Sequence, residues 1–257
     1  MKKLGLALGA GGSRGVAHIG FLKALEEAEI PIACISGTSM GSVVGACYAA
    51  GISVEKMIGE VDKIKPSDLI DLSANPLKKL GLLKAVKMKE KLRELLGTIR
   101  ISEMKIPFCC TAVDILKGTP KVFAGDELAF ECVAASSSIP GIFRPTEIDG
   151  VMYVDGGLIS RLPIDECRAL GAEAVVTVDV LGEIREEKRL SNIFSVLFRT
   201  IDLYDGTATQ SKLKELKPDL YLAPDLGSMS QYRFEGMPEA IEAGYRLGKD
   251  NISVIRE

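Results

Sequence analysis

Ser39 lies in Gly37-Thr38-Ser39-Met40-Gly41, directly after the apolar run Ile32-Ala33-Cys34-Ile35 and directly before a run of small apolar residues. This order reads as strand, sharp turn and helix with a serine at the turn, the pattern of a nucleophile elbow. Gly37 and Gly41 carry no Cβ, so strand and helix can close on each other and push the serine out to where a carbonyl can reach it. The helix N-terminus, beginning with the N–H of Met40, offers free donors and a positive dipole end to a developing oxyanion. A chain with 26 Gly produces this spacing by chance as well. What surrounds the motif therefore decides its meaning.

A second glycine cluster, Gly9-Ala10-Gly11-Gly12-Ser13-Arg14-Gly15, follows the strand-like Leu4 to Leu8 and opens a helical segment from Val16 to Ala28. One reading is a dinucleotide fingerprint at a strand-to-helix turn. Gly9 and Gly11 fit it, but Arg14 stands where the third glycine belongs. The next strand ends in Ile35-Ser36-Gly37 and not in the acidic residue a ribose needs. The other reading is an oxyanion loop, with the N–H groups of Gly11 and Gly12 turned toward a carbonyl oxygen. A glycine loop one strand–helix unit before the elbow suits the second.

A serine nucleophile needs a base, usually a histidine that follows it in such folds. The chain has one His, His18, and it precedes Ser39. A Ser-Asp-His triad of the usual order is excluded by count, and His18 reads as a packed or capping residue of the first helix. The best alternative base is Asp155 in Val151-Met152-Tyr153-Val154-Asp155-Gly156-Gly157. There a β-prone run ends in a carboxylate, and two glycines let the chain turn away and leave it presented. A carboxylate bonded directly to a serine hydroxyl serves as general base if its surroundings tune its pKa. An ordinary turn aspartate is the plainer alternative. Asp179, ending Ala174 to Val178, is the rival carboxylate, read as serving the fold.

Together these pieces resemble the patatin-like phospholipase family. The shared features are the loop Gly11-Gly12-Ser13-Arg14-Gly15, the elbow Gly37 to Gly41, and the later Asp155-Gly156-Gly157. The block Ala134-Ala135-Ser136-Ser137-Ser138-Ile139-Pro140 also looks like the family's small-residue segment. The resemblance covers about Leu4 to Asp179, with Ala10 where many members have a further glycine. It implies a mostly parallel central sheet sandwiched between helices, a three-layer α/β/α fold, with catalysis by a Ser-Asp dyad without histidine. Ser39 and Asp155 would form the dyad, and Gly11, Gly12 and Met40 the oxyanion hole. No metal or other cofactor is implied.

The elements needed to position these residues are legible around them. Met40 to Ala50 is apolar all round and reads as a buried helix ended by Gly51. Ser53 opens another helix. Pro107 to Asp114, Lys121 to Ala124, Phe143 to Ile148 and Ala174 to Asp179 read as strands, with antiparallel or edge pairing expected within Thr119 to Ile148. Pro163 to Leu170 reads as a helix, Leu220 to Leu222 as a last strand, and Pro238 to Lys249 as a closing helix. Strands alternating with helices imply a mostly parallel sheet covered on both faces. The 257 residues suffice for one such α/β domain, 1–257, with a helical cap at about 60–105 and a C-terminal helical region at about 187–257.

Two segments carry further signals. Between Lys78 and Lys105 the basic residues Lys78, Lys79, Lys84, Lys87, Lys89, Lys91, Arg93, Arg100 and Lys105 outnumber Glu90, Glu94 and Glu103. Beside Val86, Leu92, Leu95 and Leu96 they read either as the solvated side of a core-packed helix or as a cap that meets anionic headgroups. Leu190 to Tyr204, with Ile193, Phe194, Val196, Leu197, Phe198 and Ile201, holds more apolar residues than a lone surface helix needs, and marks a lid or a homodimer surface.

Net charge of −3 gives nucleic acid no reason to bind. The six cysteines lie in apolar contexts without Cys-x-x-Cys spacing, as free thiols in a reducing cytoplasm do. Met1-Lys2-Lys3 and the short run after it read as a first strand, not a leader, and no stretch is apolar enough to span a membrane. The expected protein is a cytoplasmic serine acyl hydrolase, in transient contact with a membrane surface, cleaving phospholipid or other acyl-lipid esters. Two alternatives are a nucleotide-binding Rossmann-like enzyme and a non-catalytic lipid-binding adaptor.

Overall fold

Leu4–Leu8 forms the first strand, β1, and is buried along its whole length, as an uninterrupted apolar run must be when both sheet faces are covered. A computed structural model describes residues 2–63, 86–184, 186, 190 and 193–257. The other strands are β2 Cys34–Thr38, β3 Phe108–Asp114, β4 Thr119–Phe123, β5 Thr146–Ile148, β6 Val151–Asp155, β7 Ala174–Val178 and β8 Leu220–Leu222. Among the described residues they make one eight-stranded sheet in the order β5-β6-β3-β2-β1-β7-β8, with β4 paired to β3. The run β3-β2-β1-β7-β8 is parallel. Strands β4 and β6 pair antiparallel with β3, and β5 antiparallel with β6. The sheet is thus mostly parallel with an antiparallel margin, as the sequence predicts.

Helices cover both faces. They are α1 Ala17–Glu27, α2 Met40–Ala49, α3 Val54–Val61, α4 Val86–Leu96, α5 Ala129–Ser136, α6 Ile164–Ala169, α7 Ile193–Leu216 and α8 Met237–Arg256. The two-residue period of a strand sorts β1 between the faces. Leu4, Leu6 and Leu8 enter the larger core with α1, α2 and α5. Ala7 enters a smaller one with Ile164 and Cys167 of α6, against which Leu213 and Leu216 of α7 pack. On the larger side α1 and α8 lie nearly in contact, because Gly20 faces the Ile241 carbonyl and Gly244 the Ala17 carbonyl, each with no room for a methyl group.

Three details depart from the sequence reading. The first helix starts at Ala17, after a separate 3-10 turn at Gly12–Val16. The small-residue block Ala134 to Pro140 begins inside a helix, α5, which alanines and a buried face favour despite its shortness. The closing helix α8 runs on to Arg256.

Within the expected cap at about 60–105, residues 64–85 lie outside the described residues, and with them Lys78, Lys79 and Lys84. The described part behaves as a core-packed helix. Leu92 and Leu96 of α4 are buried in the main core. Lys89 bonds Glu131 of α5 at 2.7 Å, and Lys91 bonds Glu60 of α3 at 2.8 Å. Lys89 and Lys91 are thus shared with neighbouring carboxylates. These surface pairs are weak individually, and the buried leucines fix the helix.

Candidate active site

Ser39 stands between β2 and α2 at φ 55° and ψ −127°, a strained backbone for a residue with a Cβ. Close packing on both sides holds it there. A Cβ on Gly37 would lie 2.5 Å from the Ser42 Cα, and one on Gly41 would lie 2.2 Å from the Leu8 carbonyl oxygen. Strand, turn and helix therefore touch backbone to backbone. The Ser39 N–H donates to the Ser136 hydroxyl at 3.0 Å, and the Ser39 carbonyl accepts from the Ser42 N–H at 2.8 Å and the Ser42 hydroxyl at 2.6 Å. The main chain of the serine is satisfied on both sides, so its hydroxyl is left for another partner.

That partner is Asp155, the last residue of β6. The sheet register brings them together. Thr38 pairs with Thr111 of β3 and Asp155 pairs with the next residue, Ala112, on the same edge, because β4 occupies the other edge along Cys110 to Asp114. Since β2 runs parallel to β3 and β6 antiparallel to it, the C-terminal ends of β2 and β6 meet there, with Ser39 and Asp155 at the junction. The Thr38 and Thr111 hydroxyls, 2.8 Å apart, tie the two strands just before the turn, and Gly156 sits so tightly on Thr111 that a Cβ would approach its hydroxyl to 2.4 Å.

The Asp155 carboxylate accepts from the Gly157 N–H at 2.8 Å and faces the Ser39 side chain closely enough for that hydroxyl to lower its pKa, and its own N–H donates to the Ser138 carbonyl at 3.0 Å. Burial pushes the carboxyl up to about 7; the Ser39 and Gly157 bonds pull down, and Asp205 of α7 pushes up. Removal from water wins because two hydrogen bonds do not replace the hydration of a buried charge.

The glycine loop leaves β1 beside this pair. Gly9 N–H donates to the Val178 carbonyl and Ala10 N–H to the Arg161 carbonyl, each at 3.0 Å. Gly12 has φ 52° and faces the Gln231 carbonyl, which a Cβ would approach to 2.2 Å, so only glycine suits that position. Ser13 N–H bonds the same carbonyl at 3.0 Å. Gly15 packs on Met40, the first residue of α2, which sets the loop against the elbow. Gly11 and Gly12 precede or open a helical turn and Met40 opens α2, so their N–H groups have no helical acceptor behind them. Arg14 is buried in the 3-10 turn at the side of the loop.

His18 is not part of this constellation. It is fully buried in α1, and its Nε2 donates to the Gly9 carbonyl at 2.9 Å. Burial lowers its pKa to about 4, so the ring is neutral and braces the loop from behind.

Asp179 is equally committed. Its carboxylate accepts from Arg161 at 2.7 Å, from the Tyr221 hydroxyl at 2.8 Å, and from the N–H groups of Leu181 and Gly182, each at 3.1 Å. Arg161, itself buried, also bonds Asp205 of α7 at 2.9 Å. Breaking a buried, hydrogen-bonded ion pair costs roughly 3–5 kcal/mol. Because Arg161 keeps Asp205, Asp179→Asn should cost about 3 kcal/mol in a urea titration; a loss below about 1 kcal/mol would contradict a structural role.

Sequence reading missed Arg161, Asp205 and the service of Ser136 and Thr111 to the turn. The run of small and hydroxyl residues at 134–138 was the only signal for Ser136. Nothing local marks Arg161, whose partners come from 18 to 44 positions away.

A cleft of about 710 Å³ opens beside the loop, lined by Arg14, Arg161, the 227–233 segment and the Arg199, Asp202 and Asp205 face of α7. Ser39 and Asp155 do not line it, and they are only 3% and 6% exposed. The pair is therefore covered in this conformation. Among the described residues there is no group of three or more His, Cys, Asp or Glu placed to hold a metal ion, and no helix long and apolar enough to cross a membrane.

Fold and elbow together define an α/β protein with a serine at a strained strand-to-helix turn. The chain belongs to the patatin-like phospholipase family, whose model matches residues 6–168, more than half of it. It is 33% identical to an uncharacterized NTE family protein of Mycobacterium bovis over 180 residues, 70% of this chain and 49% of that one. It is 28% identical to lysophospholipase nte1 of Aspergillus fumigatus over 285 residues, 99% of this chain and 18% of that one. The chain thus spans half or less of the length of these relatives. Among solved structures it is similar to VipD of Legionella pneumophila, with a TM-score of 0.62 and 13% identity over 99% of this chain and 67% of that one. It is also similar to the type III effector protein ExoU, with a TM-score of 0.52 and 12% identity over 99% and 53%. At such identities the likeness is one of fold.

Proposed function

We propose that this chain is a serine acyl hydrolase of the phospholipase A or lysophospholipase type, working through Ser39 and Asp155. One observation carries the reading: a serine at a strained elbow facing a buried carboxylate whose pKa is raised to about 7. A carboxylate tuned to neutrality takes a proton far more readily than an exposed one. Family membership and a fungal relative named lysophospholipase support a lipid ester as substrate, over a nucleotide-binding or purely adaptor role.

In this mechanism the Ser39 Oγ attacks the ester carbonyl carbon while Asp155 takes the hydroxyl proton. The carbonyl oxygen becomes an oxyanion held by the N–H groups of Gly11, Gly12 and Met40. The tetrahedral intermediate collapses, the C–O bond to the alcohol breaks, and Asp155 returns its proton to the leaving oxygen. Water then attacks the acyl-enzyme, giving its proton to Asp155, and the free acid leaves as Ser39 is reprotonated. Since the pair is covered, the lipid enters by displacing part of that cover.

A fluorophosphonate probe with mapping of the modified residue tests the reading. Labelling on Ser39 is expected; labelling of another serine, or none with no ester cleaved, contradicts it. His18→Gln, which can still donate to the Gly9 carbonyl, should keep kcat within about tenfold. A loss of about 10³-fold in a folded variant would put histidine into the mechanism.

A further inference from the structure

The first four turns of helix α7 are built inside out. Soluble helices turn their apolar side to the core and their charges to water. At 100° per residue, Arg199, Asp202 and Asp205 point inward, where they line the 710 Å³ cleft. Asp202 accepts from the Gln231 side chain at 2.9 Å and the Tyr232 hydroxyl at 2.8 Å, and Asp205 holds Arg161. Phe198, on the same inner side, stacks on Tyr232 at 4.8 Å. The outer face presents Ile193, Val196, Leu197, Leu203 and Tyr204, with exposures from 43% to 69%. Thr200 and Thr207 lie between them. This outer arc of about 120° carries no charged residue over nearly four turns.

We infer that the outer face of α7 is the surface by which the protein docks on a lipid aggregate, seating apolar side chains among acyl chains and headgroups. The inference rests on the lipid-ester reading for its choice of occupant. Three observations favour lipid over a second copy of the chain. An uncharged apolar face complements an acyl phase and has no ion pair to offer a protein. Tyr204, with a ring and a polar tip, suits the boundary between acyl chains and water. At their exposed fractions the five side chains present roughly 500 Å², enough to mark a docking face but short of the ~800 Å² per partner of a stable dimer.

Docking here would also orient the site. Asp205 of α7 lies close enough to Asp155 to influence its carboxyl. Lys212 donates to the Ile159 carbonyl just after the Asp155 turn at 2.8 Å, and a Cβ on Gly141 would lie 3.8 Å from the Phe198 ring. The inner face therefore overlooks the segments around the candidate site while the outer face would meet the lipid.

The test is sedimentation of the full chain with phosphatidylcholine vesicles at 0.1 and 0.5 M NaCl, for wild type, Leu197→Glu and the milder Val196→Ser/Leu197→Ser. Wild type should bind equally at both salt concentrations, because no charge is involved. Leu197→Glu should lose at least tenfold in partitioning and the double serine variant severalfold. Cleavage of a monomeric short-chain ester should stay within twofold. Unchanged vesicle binding in the variants, or no binding by wild type, would overturn the inference. A wild-type dimer that the variants split assigns the face to a second copy and overturns it too. So does a lowered unfolding midpoint in both variants, which would mean the chain itself covers this face. If monomeric ester is cleaved by none of the proteins, the catalytic reading fails while vesicle binding still decides the docking.

Discussion

Ser39→Ala is expected to lower kcat/KM for ester hydrolysis by about 10⁴-fold or more and to abolish fluorophosphonate labelling, with the fold retained. The change removes one oxygen and keeps the Cβ, so the strained backbone at φ 55° and ψ −127° persists. The close approaches of Gly37 and Gly41 that impose the strain do not involve the hydroxyl. Ser39→Gly separates strain from chemistry. Glycine accepts this conformation freely, so the variant should be equally inactive yet more stable than Ser39→Ala by about 1–3 kcal/mol. Paired denaturant titrations measure the difference. If the glycine variant is the less stable of the two, the elbow is not strained as described; if the alanine variant keeps its activity, the nucleophile is elsewhere.

Asp155→Asn carries the second large effect. Asparagine keeps the shape and can still bond the Ser39 hydroxyl, but it cannot take its proton at neutral pH. A fall in kcat of roughly 10²–10⁴ is expected, with KM little changed. In the wild type, kcat should decline as pH drops through about 7, where the carboxylate acquires its proton. Stability should move the opposite way. The folded chain holds a proton on Asp155 up to about 7, whereas the unfolded chain releases it near 3.9. Between these values the folded state binds more protons, so stability is lost as pH rises through that window. Three units at about 1.4 kcal/mol each set a ceiling near 4 kcal/mol. Asp155→Asn should therefore match wild type near pH 4 and exceed it by about 1–4 kcal/mol at pH 8. Equal stability at both pH values would mean that Asp155 titrates as an ordinary carboxyl, and the pH dependence of activity would then need another source.

Much of the frame was readable along the chain. Glycine spacing around Ser39 marked a strand-to-helix turn because a backbone-on-backbone approach excludes every side chain, and that requirement is local. The apolar run at Leu4–Leu8 and the nearly continuous one at Ala174–Val178 announced strands covered on both faces, since only burial on both sides removes the need for alternation. A single histidine ahead of the serine ruled out a triad of the usual order by count alone.

The choice of carboxylate had only a weak local signal. Asp155 and Asp179 both end β-prone runs, and in sequence only Gly156 and Gly157 after Asp155 set them apart. In the structure the sheet register, which brings the ends of β2 and β6 together on one edge of β3, and the buried Arg161, which occupies Asp179, separate them. The charge state of Asp155 likewise arises from burial by segments distant in sequence. Leu190 to Tyr204 could be recognised as excessively apolar, but which side of that helix meets the protein was beyond reach, because periodicity gives the faces of a helix and not their directions. The structure turned Asp202 and Asp205 of α7 inward, since Arg161, Gln231 and Tyr232 wait on that side to pair with them, and the apolar face of its first four turns was left outward.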